Sequence, residues 1–242
     1  MPGYGWSAKP ATPGTGTEAI AGMWDALMVR LGYDRYVAQG GDWGSAITTD
    51  IGIQNRGHCA AIHLNMPLAY PTSDEGRERE EDEIEALAAI EYYLETDSGY
   101  SKIQSTRPQS IGYGLVDSPA GLACWILEKF WSWTNRDGRP EDSFNRDELL
   151  DNVSVFWFTA TGASSARLYW ESFGNRSPGT VDIPTGASLF PNEIIRTARI
   201  WADERFTDIR YWSSPDRGGH FPAFEVPDLF VSEVRAAFRS LL

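Results

Sequence analysis

Long apolar runs are missing from this 242-residue chain. Nowhere do some 18 or more apolar residues follow one another, so no membrane-spanning helix and no secretory leader is read from it. Cysteine is scarce, with Cys59 in a strand-like run and Cys124 in a helical one. Both read as buried packing residues, which excludes a disulfide framework and a thiolate metal site and favours a reducing, cytoplasmic compartment. Basic residues are few: 21 Lys and Arg stand against 34 Asp and Glu, a net charge of −13. That balance excludes nucleic acid and anionic membrane as partners. Dinucleotide and P-loop glycine patterns, internal repeats and low-complexity tracts are absent, and no cofactor or metal is expected.

What remains is a 42% hydrophobic chain, long enough to bury a sizeable core and to carry an inserted lid. Apolar residues at Ile20, Met23, Trp24, Leu27, Met28 and Leu31 predict a helix over Thr17 to Leu31 that packs against a sheet. Tyr36-Val37-Ala38 reads as a strand, followed by a helix to about Gly57 and a second strand over Cys59 to Asn65. Asp74 to Asp97 reads as a charged amphipathic helix with a solvated acidic face. Further helices are expected at Pro119 to Thr134, Arg146 to Thr159 and Gly162 to Phe173. Strands at Val181 to Gly186 and Ile209 to Ser213 and a closing helix over Val226 to Leu242 complete the pattern. Alternating strands and helices predict an α/β fold with a mostly parallel sheet, a core of residues 1–67 and 179–242, and a helical lid over 68–178.

Between the first strand and the helix after it lies Gln39-Gly40-Gly41-Asp42-Trp43-Gly44-Ser45. Small residues two before and two after a potential nucleophile suit a sharp strand-to-helix turn, where side chains would collide. Such a turn lifts one reactive group to the carboxyl end of a sheet, and here that group is Asp42. A carboxylate attacks a carbon centre such as an epoxide or alkyl halide and forms an ester that water must clear. The same residues also fit an Asp that merely caps a helix after a Gly-Gly turn.

Two later segments weigh against the cap alone. His220, in Arg217-Gly218-Gly219-His220-Phe221-Pro222, sits in a loop beyond a strand, where an open α/β sheet gathers its chemistry. Glu193, in Phe190-Pro191-Asn192-Glu193, follows the strand before it. The order nucleophile, acid, base is that of an α/β-hydrolase triad. The Trp43 N–H, directly after the nucleophile, is the expected oxyanion donor. His58 and His63 read as structural, and Ser45 lies too far from the turn's apex for a serine esterase.

Over its whole length the chain resembles the epoxide hydrolases of the α/β-hydrolase superfamily, of the microsomal-type branch and its bacterial relatives. Pro2-Gly3-Tyr4-Gly5-Trp6-Ser7, the elbow Gln39 to Gly44, Ser98 to Gln104, Gly114 to Leu122, Leu127-Glu128-Lys129-Phe130, Phe190 to Glu193 and Arg217 to Phe221 carry the resemblance. It implies Asp42 as nucleophile, His220 as the base for water, Glu193 as the acid orienting His220, and a small apolar epoxide with water as substrates. It further implies that two lid tyrosines, Tyr100 and Tyr169, grip the epoxide oxygen; Tyr92, Tyr93 and Tyr113 are not separated from them by composition. A His-Gly-x-Pro loop, which the family places upstream with a second oxyanion donor, is absent from the sequence. The expectation is therefore a chain without the family's N-terminal portion, its first strand left as an open edge that a separate segment or a homodimer would complete. A haloalkane dehalogenase, with Trp43 as a halide donor, and a non-catalytic fragment are the alternatives.

Overall fold

The computed structural model describes residues 1–71, 76, 78–134, 138–174 and 178–241. In chain order its elements are α1 (Thr17–Arg30), β1 (Tyr36–Gly40), α2 (Trp43–Gln54), β2 (Cys59–Leu64), α3 (Glu81–Thr96), α4 (Gly99–Thr106), α5 (Pro108–Asp117) and α6 (Pro119–Trp133). There follow α7 (Pro140–Ser143), α8 (Arg146–Phe158), α9 (Gly162–Ser172), β3 (Thr185–Ser188), α10 (Arg199–Arg205), β4 (Ile209–Ser213), α11 (Pro222–Glu225) and α12 (Pro227–Leu241). They fall into two compact units. One holds Ala21–Glu95 and Ser177–Leu242, the other Met1–Ile20 and Thr96–Arg176.

The first unit is built on a parallel sheet of order β1-β2-β3-β4. β2 is buried along nearly its whole length, as a parallel strand covered on both faces must be. Its Ala61 packs with Ala237 and Leu241 of α12, with Tyr211 and Phe238 alongside. β1 has one neighbouring strand in this sheet, and its Val37 is exposed.

Several sequence expectations are corrected here. The strand expected over Val181 to Gly186 starts only at Thr185 and runs on to Ser188, because Pro184 has no N–H to give a ladder; its carbonyl accepts from Ile62 at 2.9 Å. Val181 keeps a lone bridge to Phe206. On α1 the expected apolar stripe does not all face inward. Met23 and Leu27, with Leu31 just beyond the helix end, are exposed, while Asp25 is buried, accepting from the Tyr36 hydroxyl at 2.9 Å and contacting His58 Nδ1 at 3.2 Å. α2 stops at Gln54, since Asn55 turns left-handed at φ 36° and its N–H bonds the Ile51 carbonyl. The acidic helix expected from Asp74 begins at Glu81; residues 74, 75 and 77 of that span lie outside the described residues.

The second unit is helical. Pro108 and Pro119 open α5 and α6 at the first turn, where no N–H is needed. Ser118 caps α6 by accepting the Gly121 N–H at 3.0 Å, and Asn145 with Glu148 forms a reciprocal capping box on α8. α6 buries Leu122, Lys129, Phe130 and Trp133. Cys124 lies off that stripe and is exposed, contrary to its expected burial, whereas Cys59 is buried. The short helices α4 and α5 lacked a period long enough to be read as elements. Among the described residues, no helix is long and apolar enough to cross a membrane.

Candidate active site

β1 runs straight into the elbow. A Cβ on Gly40 would stand 2.0 Å from the Gly44 carbonyl oxygen, and one on Gly41 would stand 2.4 Å from Asn65 Oδ1. The chain can double back only because both are glycine. Gly44 departs from the sequence expectation, since a Cβ there meets nothing within 4 Å. It supplies the crowding carbonyl, and the steric demand falls on Gly40. Asp42 itself has φ 51° and ψ −127°, a conformation that costs about 1–3 kcal/mol in a non-glycine residue. The end of β2 braces the turn: Asn65 N–H donates to the Gly40 carbonyl at 3.2 Å, and Gln39 Nε2 donates to Asn65 Oδ1 at 2.9 Å.

From this apex the Asp42 side chain is 37% exposed, open enough for a reagent to reach. Its two oxygens have different partners. Oδ1 accepts the Trp43 N–H at 2.6 Å, and Oδ2 lies 3.1 Å from His220 Nε2. The opposite ring nitrogen, Nδ1, is 2.5 Å from Glu193 Oε1. His220 and Glu193 are each only 2% exposed in their side chains. Glu193 Oε1 also accepts the Ile194 N–H at 2.8 Å, which fixes the carboxylate plane. The structure thus brings Asp42, His220 and Glu193 into one hydrogen-bonded chain within the sheet unit.

Three loops hold that chain. Asp42 follows β1, Glu193 follows β3 and His220 follows β4, all at the carboxyl ends of parallel strands. The Glu193 and His220 loops are stitched together by the Asn192 N–H, which donates to the Gly218 carbonyl at 3.2 Å. Gly218 sits at φ 103°, and a Cβ there would meet Phe190 at 2.8 Å, so the base loop needs glycine at this point. Glu225, which sequence reasoning missed, accepts the N–H groups of Gly219 and Phe221. Only its place shortly after the base could have pointed to it.

The electrostatics follow from these contacts. Burial by itself would lower the His220 pKa. The Glu193 charge and the Asp42 hydrogen bond, with the Glu193 hydrogen bond and the Asp42 charge, reverse this and push it up to about 10. Burial likewise opposes ionisation of Asp42, and the His220 contact and the Trp43 N–H overcome it, holding the carboxyl below its usual value. These contacts favour the protonated imidazole between Asp42 and Glu193. Among the described residues, no cluster of three or more His, Cys, Asp and Glu is arranged to hold a metal ion.

The helical unit brings the two candidate tyrosines together. Tyr100 opens α4 and Tyr169 lies in α9, with ring centroids 5.8 Å apart at 81°. Trp133 packs on Tyr100 from a third side at 5.2 Å, and Lys129 Nζ lies 4.5 Å from the centre of the Tyr100 ring. Tyr113, by contrast, is largely exposed.

No family model matches the chain. It is 48% identical over 242 residues to a protein of Stigmatella aurantiaca (strain DW4/3-1) provisionally named an epoxide hydrolase, covering 100% of this chain and 55% of that one. It is 37% identical over 261 residues to epoxide hydrolase 1 of Sus scrofa, covering 97% of this chain and 58% of the relative. The juvenile hormone epoxide hydrolase of the silkworm Bombyx mori superposes with a TM-score of 0.91 at 32% identity, over 100% of this chain and 63% of that structure. The chain is thus similar to epoxide hydrolases and shares the fold of the Bombyx mori enzyme, and it spans somewhat more than half of the length of the curated relatives it matches.

Proposed function

We propose that this chain carries the catalytic residues of an epoxide hydrolase that opens a small apolar epoxide to a vicinal diol. The observation that carries the reading is the elbow carboxylate Asp42, reachable from solvent and backed by a buried His220–Glu193 pair. Asp42 Oδ2 attacks a ring carbon; the C–O bond to the epoxide oxygen breaks as the ester bond forms. Tyr100 and Tyr169 are the proposed donors to the departing oxygen, which gains a proton as its charge develops. Oδ1 remains the ester carbonyl oxygen, already against the Trp43 N–H, which stabilises the tetrahedral intermediate when water adds at Cγ. His220 Nε2 takes one proton of that water and Glu193 holds the resulting imidazolium; as the intermediate collapses His220 gives that proton to the departing diol oxygen, and the second proton of the water leaves the Asp42 carboxyl to restore the tyrosine. The remaining length found in the relatives, supplied in cis or by a second polypeptide, is proposed to pair with the β1 edge and add a second oxyanion donor.

Rapid-quench intact-protein mass spectrometry with a simple aryl epoxide tests this. Wild-type protein should gain the mass of the epoxide or release diol, and Asp42→Ala should do neither. Protein in which Trp43 is the single oxyanion donor should clear the ester a hundred-fold or so more slowly (roughly 3 kcal/mol) than protein with a second donor, so that the ester accumulates. Absence of both adduct and diol on the wild type would overturn the reading.

A further inference from the structure

The base loop contains a carboxylate that the reaction scheme above leaves without a part. Glu225 ends α11, and its Oε1 accepts both amide N–H groups that flank His220: Gly219 at 3.2 Å and Phe221 at 2.9 Å. The helix does not require these bonds, since α11 closes on its own backbone through the Val226 N–H to the Pro222 carbonyl. One oxygen therefore staples the peptide segment on both sides of the base. The arrangement also concentrates charge. Two carboxylates contact the imidazole, Asp42 from the elbow and Glu193 from the loop after β3, and a third, Glu225 from α11, lies near enough that the His220 charge lowers its pKa. Burial raises the Glu225 pKa, and the two N–H groups and the His220 charge only partly offset this.

The chemistry gives this third carboxylate a reason. While Asp42 is an ester it carries no charge, yet that is when His220, having released its resting proton, takes one from water and becomes cationic again. Half of the negative charge in direct contact with the ring has then gone. We propose that Glu225 is a positioning residue for His220, which fixes the loop bearing the base and supports the imidazolium during hydrolysis of the ester. This rests on the reading of Asp42 as nucleophile and His220 as base. Its effect belongs to the second step alone, because ester formation needs no proton acceptor at Nε2.

Two variants separate the staple from the charge. Glu225→Gln keeps an acceptor at Oε1 and removes the charge, whereas Glu225→Ala removes both. Rapid-quench mass spectrometry follows appearance and decay of the epoxide adduct. Ring-proton NMR follows titration of His220, one of three histidines, assigned with His220→Gln. The ester should appear within about twofold of the wild-type rate in both variants, and Glu225→Ala should clear it roughly tenfold or more slowly. In Glu225→Gln the His220 midpoint should fall, since a neighbouring negative charge is gone. Unchanged clearance with an unmoved His220 midpoint overturns the proposal. If the wild type forms neither adduct nor diol, the epoxide reading fails on its own, and the His220 titration in Glu225→Gln still decides whether Glu225 acts on the base. Should Glu225→Ala not fold, the Gln variant alone supplies both readouts.

Discussion

Asp42 combines a left-handed backbone with a carboxylate divided between an amide and an imidazole. That division has a consequence for proton transfer. A His220 pKa near 10 means that the resting base already holds its proton at neutral pH. In the proposed reaction it accepts one from water only after releasing that proton, which becomes easier once ester formation removes the Asp42 charge. Asp42→Asn copies this neutral state with nearly the same shape and with a residue that tolerates positive φ. In that variant the His220 ring should titrate at a clearly lower pH than in the wild type, read by NMR. An unmoved midpoint would show that Asp42 does not hold the base protonated. The two chemical steps should then respond differently to pH. Adduct formation needs ionised Asp42, whose pKa lies below the ordinary carboxylate value, so its rate should be flat from pH 5 to pH 9. Ester decay needs neutral His220 and should quicken as pH rises.

The β1–elbow–α2 element shows which glycines carry the geometry. Gly40→Ala would put a methyl 2.0 Å from the Gly44 carbonyl oxygen, against backbone that cannot step aside. It should cost about 3 kcal/mol or more in a urea titration and abolish adduct formation. Gly44→Ala meets open space inside a helix and should hold or gain up to about 1 kcal/mol. Equal losses at the two sites would contradict this account. The elbow was legible because its demand is local: glycines, a carboxylate and an apolar run lie within a few residues. β3 was much less so. Thr185-Gly186-Ala187-Ser188 has a single β-branched residue and no bulky apolar one, and it is a strand because β2 and β4 lie on either side of it. The inward face of α1 was misread for a related reason. Its buried Asp25 is satisfied by Tyr36 and His58, partners that only the fold brings near. Glu225 was invisible because its role lies in accepting backbone N–H groups, which leave no mark in side-chain periodicity.

At the scale of the whole molecule, two buried histidines set opposite pH limbs of stability. His63 on β2 is fully buried; its Nε2 lies 3.0 Å from Ser188 Oγ, which donates to Glu233, and its Nδ1 has no partner among the described residues. Burial pushes its pKa down to about 4 from 6.5, and the Glu233 charge only partly opposes this. The unfolded chain therefore binds a proton near pH 6.5 that the folded one refuses until about pH 4. Stability is complete above 6.5 and falls as pH drops between those values, by up to about 3 kcal/mol. His220 has the reverse sign. Its folded pKa is raised, so its contribution is complete below 6.5 and is lost as pH rises toward about 10. Together they predict a stability maximum near pH 6.5, well above the sequence pI of about 4.6. Urea midpoints at pH 5, 6.5 and 9 test it with two variants. His63→Gln should flatten the acid limb and leave the alkaline one, and His220→Gln should do the opposite. A steep acid limb that survives His63→Gln would assign acid unfolding to the carboxylates and remove His63 from the account, because 34 acidic side chains also gain protons in that range and only the variant separates them from one imidazole.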